Sequence, residues 1–151
     1  MDVTVRWAGP KIKKDEASEA SEMGFIAQTG SGHLLSMDGA PEGGGKNLAP
    51  RPMETLLAGA GGCSAYDVVL ILRRARQDVR GCEVRLHAER AQVDPMVFTA
   101  IQFHYVVRGR ALKVETVERA INLSHDKYCS ASIMLAKTAE LSHTFEIVEE
   151  T

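Results

Sequence analysis

Cysteine offers this chain its widest chemistry, and two of its three copies stand out by their setting. Cys63 lies inside the apolar run Leu56–Leu72, directly behind Gly59-Ala60-Gly61-Gly62. Cys129 precedes Ser130, a plausible N-cap for a short helix carrying Ile133 to Ala136, which puts the thiol at a helix N-terminus. A cysteine reacts as its thiolate, and thiolates are favoured by helix N-termini and nearby cations. Cys63, several turns into its own helix, has no such help unless tertiary structure brings a cation. Asp67, four residues on, shares its helix face. A lone carboxylate there raises the thiol pKa, so it would assist only by holding an arginine that also faces the sulfur. Otherwise Asp67 is tied to a neighbouring basic side chain. Both cysteines also fit an inert core, because free cysteines are among the most buried residues. Cys82 falls on the apolar parity of a strand and reads as filler.

Other chemistries find less footing. The chain has no Cys-x-x-Cys, no His-Glu-x-x-His and no histidine pair at ligand spacing, so neither a metal site nor a cofactor is expected. His104 or His125 could serve as base in cysteine–histidine hydrolysis, but histidines on strands and helix ends are more often structural or solvated. His33, His87 and His143 follow no pattern. Gly45-Lys46 is no phosphate loop, since the earlier glycine is misplaced and Asn47 stands where Ser or Thr is required. Ser64 and Tyr66 flank Cys63 and could donate hydrogen bonds or simply pack.

The elements that must position these residues follow in order. Val3, Val5 and Trp7 alternate with polar neighbours as a first strand, and Lys11 to Glu22 reads as a loop or wide turn. Met23 to Met37 reads as a hairpin around Gly30-Ser31-Gly32, followed by a flexible loop over Asp38 to Asn47. The central helix opens at Pro52, with Glu54 in its first turn and Arg73, Arg74 and Arg76 at its end, charges that suit the macrodipole. Its near-uniform apolarity predicts burial on all sides. Its glycines predict a backbone approaching closely just before Cys63. A membrane span is discounted, because Leu56–Leu72 falls short of the roughly 20 residues needed and contains Asp67.

Val79 to Glu89 alternates as a half-exposed strand, and Asp94-Pro95 makes a turn. Val97, Thr99, Ile101, Phe103, Tyr105 and Val107 line one side of a long strand. Val114, Val117 and Ile121 mark an amphipathic helix to about His125. The second short helix follows, and Thr144 to Val148 closes as a strand. The fold class is therefore α+β, an antiparallel sheet on a long central helix, with one domain over 1–151 and no internal repeat.

Length allows a real core, and the net charge of −2 leaves no basic footprint for nucleic acid or an anionic membrane. The N-terminal residues show no signal-peptide pattern. Three scattered cysteines do not make a disulfide framework, which points to the reducing cytoplasm.

Pro52-Met53-Glu54, then Gly61-Gly62-Cys63-Ser64-Ala65-Tyr66-Asp67-Val68-Val69, and later Lys127-Tyr128-Cys129-Ser130 resemble the OsmC/Ohr family, especially a less characterised OsmC-like branch. These are the osmotically inducible protein C and organic hydroperoxide resistance proteins. The resemblance covers essentially the whole chain. It implies an intertwined homodimer, with two long helices back to back and active sites at the subunit interface. It also implies a thiol peroxidase acting on small organic hydroperoxides, with Cys63 peroxidatic, Cys129 resolving and an external dithiol as reductant. In that family an arginine steadies the peroxidatic thiolate and a glutamate orients the arginine. Glu54 and Arg51 are the candidates here, although Met53 occupies the family glutamate's spacing and no arginine lies between Trp7 and Asn47. A non-enzymatic dimer of the same fold, binding a small apolar ligand in the interface cleft, is the alternative.

Overall fold

The computed structural model describes residues 1–9 and 21–151, in two compact units, 1–56 and 57–151. The loop read over Lys11 to Glu22 therefore lies almost wholly outside the described residues. In the first unit, β1 (Val3–Trp7), β2 (Phe25–Thr29) and β3 (Leu34–Met37) form an antiparallel meander in the order β1-β2-β3. The expected first strand and hairpin are both present. Gly32, at φ +86°, supplies the left-handed residue of the hairpin turn, where Gly32 N–H donates to Thr29 O.

The loop after β3 was expected to be flexible, yet it is organised around a buried carboxylate. Asp38 is 1% exposed and accepts the Ser21 hydroxyl and the main-chain N–H groups of Gly39, Lys46 and Leu48, the last three at 2.8, 3.0 and 2.9 Å. Hydrogen bonds to the charged form, led by Ser21 and then Leu48, hold this carboxyl at about 2, against the opposing effect of burial. The folded pKa lies below the ordinary 3.8, so the stabilisation is complete above 3.8 and is lost as pH falls toward 2. Asp38→Asn should remove that acid-sensitive step and lower stability at neutral pH. Urea midpoints measured across pH 2 to 7 check both.

The helix α1 (Pro52–Arg74) is longer than the apolar run that betrays it. By length and composition alone it is able to cross a bilayer. In the second unit it instead lies on a sheet. Ala60, Gly61, Ser64, Val68 and Leu72 are its buried residues, a stripe of roughly four-residue spacing. The expectation of burial on every side is not met within this chain: Leu56, Gly59, Gly62 and Tyr66 are exposed, since among the described residues nothing covers them. Among the described residues of this chain, no backbone meets these glycines. A Cβ on Gly61 would come within 2.7 Å of the Leu86 Cδ1 atom, a side chain rather than a backbone, and Gly59 and Gly62 have open space.

The sheet beneath has the order β4-β5-β6, from β4 (Asp78–Arg90), β5 (Phe98–Arg110) and β6 (Glu140–Glu149). Central β5 carries the core with Phe103, Tyr105 and Val107, all 0% exposed, while Thr99 on the same parity is exposed. β4 pairs with β5 antiparallel, setting Leu86 against Phe103 and Val84 against Tyr105. β5 and β6 pair in parallel, which departs from the purely antiparallel sheet expected. The reason is the long crossover between them, without which two parallel neighbours cannot be joined. That crossover holds α2 (Val114–Leu123), a π-helical turn (Ser124–Tyr128) and α3 (Ser130–Leu135). Val117, Ala120 and Ile121 form the buried face of α2, and the α+β class stands.

Candidate active site

Two helices deliver the reactive groups. Cys63 and Asp67 come from one face of α1, and Cys129 arrives at the head of α3. The two sulfurs and an Asp67 carboxylate oxygen lie within 4.8 Å of one another. Both cysteines are free thiols; Cys63 is half-buried and Cys129 fully buried.

Ser130 was expected to cap α3, but the cap is Cys129 itself, at φ −73° and ψ 95°. Its sulfur accepts from the Ser132 N–H at 3.4 Å and the Ser132 hydroxyl at 3.1 Å, so the thiol does the work usually given to a serine oxygen. Cys129 S–H in turn points at the Ala60 carbonyl, 4.0 Å away on α1. Burial pushes the Cys63 thiol up from 9.0, opposed by the Ala131 N–H and reinforced by Cys129 and Asp67. None of these influences is a cation. Cys63 at neutral pH is therefore predominantly a thiol. Burial likewise raises Cys82, in keeping with its reading as filler.

A buried polar chain, not legible in the sequence, runs from Asp67 into the sheet. Ser124 Oγ lies 3.4 Å from Asp67 Oδ2, 3.4 Å from the Ser64 carbonyl oxygen and 2.8 Å from Ser64 Oγ. Ser64 Oγ is bonded to the Tyr105 hydroxyl, which is 2.9 Å from His125 Nε2. Carboxylate and carbonyl oxygens only accept, so Ser124 spends its single proton on them and Ser64 must donate to Ser124. Tyr105 then donates to Ser64, and His125 donates through Nε2–H. The network thus assigns His125 as the neutral Nε2–H tautomer. Burial raises the Tyr105 hydroxyl well above 10.0.

His125 stacks on His143 with centroids 4.8 Å apart and meets the Phe103 ring edge-on. Burial first, then His143, lowers it from 6.5 to about 4, with Asp126 opposing. Its folded pKa is depressed, so its contribution to stability is full above 6.5 and is lost as pH falls toward 4. His125→Gln should flatten the stability–pH curve in that window, above and separate from the Asp38 step; chemical denaturation at pH 4, 5, 6 and 7 measures it.

Of the other sequence candidates, His104 bonds the Thr144 hydroxyl at 2.8 Å and lies 3.8 Å from Glu146, a pairing across neighbouring strands. Glu54 and Arg51 belong to the first unit. There Glu54 Oε2 accepts the Arg51 main-chain N–H at 2.8 Å, as the third helical residue does in a capping box. Ser132 and Ala131 were not singled out as ligands of sulfur, and only the serine two places beyond a capping position hinted at them.

Comparison with known proteins places the chain in a family. Residues 43–144 match the family model described as OsmC-like protein. Protein YhfA of Escherichia coli (strain K12) is 49% identical over 124 residues, covering 82% of this chain and 90% of its own length. A hypothetical protein from Aquifex aeolicus VF5 has a similar crystal structure, with a TM-score of 0.77 and 27% identity over 99% of this chain and 97% of that one. An organic hydroperoxide resistance protein from Legionella pneumophila shares the fold, with a TM-score of 0.64 and coverage of 97% of each chain, at 12% identity. With a family model spanning most of its length and a curated relative at nearly half identity, this chain belongs to the OsmC-like protein family.

Proposed function

We propose that this chain is a cysteine-based thiol peroxidase that reduces organic hydroperoxides, with Cys63 peroxidatic and Cys129 resolving. The observation that carries the reading is the meeting of these two sulfurs, distant in sequence, within 4.8 Å beside a carboxylate. The Legionella protein's description supports the substrate class by likeness of fold, which alone never fixes function. In the reaction, Cys63 sulfur attacks the distal oxygen of the hydroperoxide as its proton passes to Asp67. The O–O bond breaks, the alkoxide takes that proton and leaves as the alcohol, and Cys63 becomes a sulfenic acid. Cys129 sulfur then displaces the sulfenic oxygen, which leaves as water with the Cys129 proton, and an external dithiol reduces the disulfide.

Arg51 and Glu54 enter the proposal as supporting residues, Glu54 anchoring the main chain of Arg51 at the head of α1. Replacing either should slow the reaction far less than replacing Cys63. The proposal includes a homodimer, supported by the exposed apolar half of α1 and by the dimers typical of OsmC/Ohr proteins. It includes a cytoplasmic setting, where the thiols stay reduced.

Cumene hydroperoxide mixed with the reduced protein tests the reading. About one equivalent per chain should be consumed in a single turnover, with loss of two thiols. Because the Cys63 thiol lies above 9.0, the rate should climb from pH 7 to 9. A rate already level at pH 7 would mean a cation reaches the sulfur. The raised thiol also favours a second reading, a dimer that binds a small apolar ligand. A groove of about 590 Å³ lined by Ala65, Tyr66, Val69, Leu70 and Val79 would serve it. Peroxide left unconsumed at both pH values would favour that reading.

A further inference from the structure

We infer that the reduced Cys63–Cys129–Asp67 cluster is a binding site for a thiophilic divalent cation of the zinc class, held by two thiolate sulfurs and one carboxylate oxygen. The inference shares its sulfurs with the proposed peroxidase site but does not depend on peroxide chemistry. Three ligand atoms from two helices already lie within 4.8 Å of one another. Sulfur and oxygen ligands on one tetrahedral zinc, at about 2.3 and 2.0–2.2 Å from the metal, stand roughly 3.5–3.8 Å apart. Closure by about 1 Å brings the present 4.8 Å to that spacing.

Each ligand also has the outer partner that metal ligands require. Ser132 donates twice to Cys129 sulfur, at 3.4 and 3.1 Å. The Ala131 N–H donates to Cys63, and the Ser124 hydroxyl lies 3.4 Å from Asp67. Binding would release one proton from each thiol to solvent, leaving a ligand set of charge −3 around a +2 ion. Among the described residues, none of the groups named as acting on Cys63 is cationic. Cys129 closes the buried side of the site, while half-buried Cys63 leaves a fourth position for water or another ligand. Two sulfurs favour zinc over magnesium or calcium, which take oxygen ligands. Cys63 and Asp67 share a helix face by their four-residue spacing, but no local pattern links them to Cys129, which joins them only through the packing of α3 on α1.

Metal and disulfide exclude one another, since both consume the same two sulfurs, and that exclusivity supplies the test. The reduced full-length protein is titrated with cobalt(II) under anaerobic conditions. One equivalent should give sulfur-to-cobalt charge-transfer absorption with the visible bands of four-coordinate cobalt, and zinc should bleach both. Cys63→Ser and Cys129→Ser should each lower the charge-transfer intensity. Asp67→Asn should keep that absorption but weaken binding at least tenfold, and Cys82→Ser should change nothing. Wild-type protein oxidised to the disulfide should not bind and should recover on reduction, a control that needs no variant to fold. Absence of charge-transfer bands in the reduced protein, or their loss in Cys82→Ser alone, would overturn the inference. Peroxide consumption by the metal-free protein is measured separately, so the two readings fail independently.

Discussion

Cys63→Ser is expected to reduce cumene hydroperoxide consumption to the uncatalysed background, the largest effect on activity that any substitution here should produce. In the proposed reaction the Cys63 sulfur cleaves the O–O bond, and a serine hydroxyl cannot be oxidised to the corresponding intermediate. Cys129→Ser should behave differently. Its first turnover should proceed, and the cycle should then stall at a Cys63 sulfenic acid that dimedone traps. Cys82→Ser should leave both steps intact, because Cys82 sits on β4 outside the cluster of ligand atoms. Rapid-mix peroxide assays with mass analysis of the labelled chain read all three variants. Equal residual consumption by wild type and Cys63→Ser would show that the chemistry lies elsewhere.

Phe103→Ala should produce the largest loss of stability, about 3–5 kcal/mol by analogy with buried aromatic truncations. Phe103 is 0% exposed in the central strand, lies against the His125 ring at 4.8 Å and stacks with Tyr105 at 6.3 Å. Its removal would leave a cavity bordered by the strand that carries Tyr105, so the chain of hydroxyls leading to Asp67 should loosen as well. Thr99→Ala, on the same strand and parity but exposed, should change stability by no more than about 0.5 kcal/mol. Urea denaturation of both variants at pH 7 compares them. Similar midpoints would mean that β5 does not carry the core.

The contrast between Thr99 and Phe103 also shows what the sequence could and could not reveal. Alternation places both on one face, since residues two apart on a strand point the same way. It cannot say where along the strand the covering helices end. Strand identities were legible because Val3, Val5 and Trp7, or Val84, Leu86 and Ala88, repeat at the pleat's own period. The parallel direction of β6 was not, because direction depends on how the crossover returns rather than on any local pattern. In the same way, apolarity marked α1 correctly but overstated its burial: composition counts apolar residues without showing whether anything lies against them.

The site was legible in part for a related reason. Cys63 and Cys129 stood out through local context, a small-residue collar and a helix start. The closeness of Cys63 to Asp67 follows from their helix spacing, but the approach of Cys129 to both is a tertiary fact. So is the chain of Ser124, Ser64, Tyr105 and His125, whose members look like ordinary polar residues on α1, β5 and the π-helical turn between α2 and α3. The Asp38 carboxylate shows the same limit, since a loop rich in glycine reads as flexible until the buried acceptor that gathers its N–H groups is seen.

Peptide mapping of the unreduced chain, after one equivalent of cumene hydroperoxide, tests the central claim most directly. The account predicts a Cys63–Cys129 disulfide formed at the expense of peroxide, with Cys82 recovered as a free thiol. Recovery of Cys63 and Cys129 as unmodified thiols after the peroxide has gone, or a bridge that includes Cys82, would contradict it.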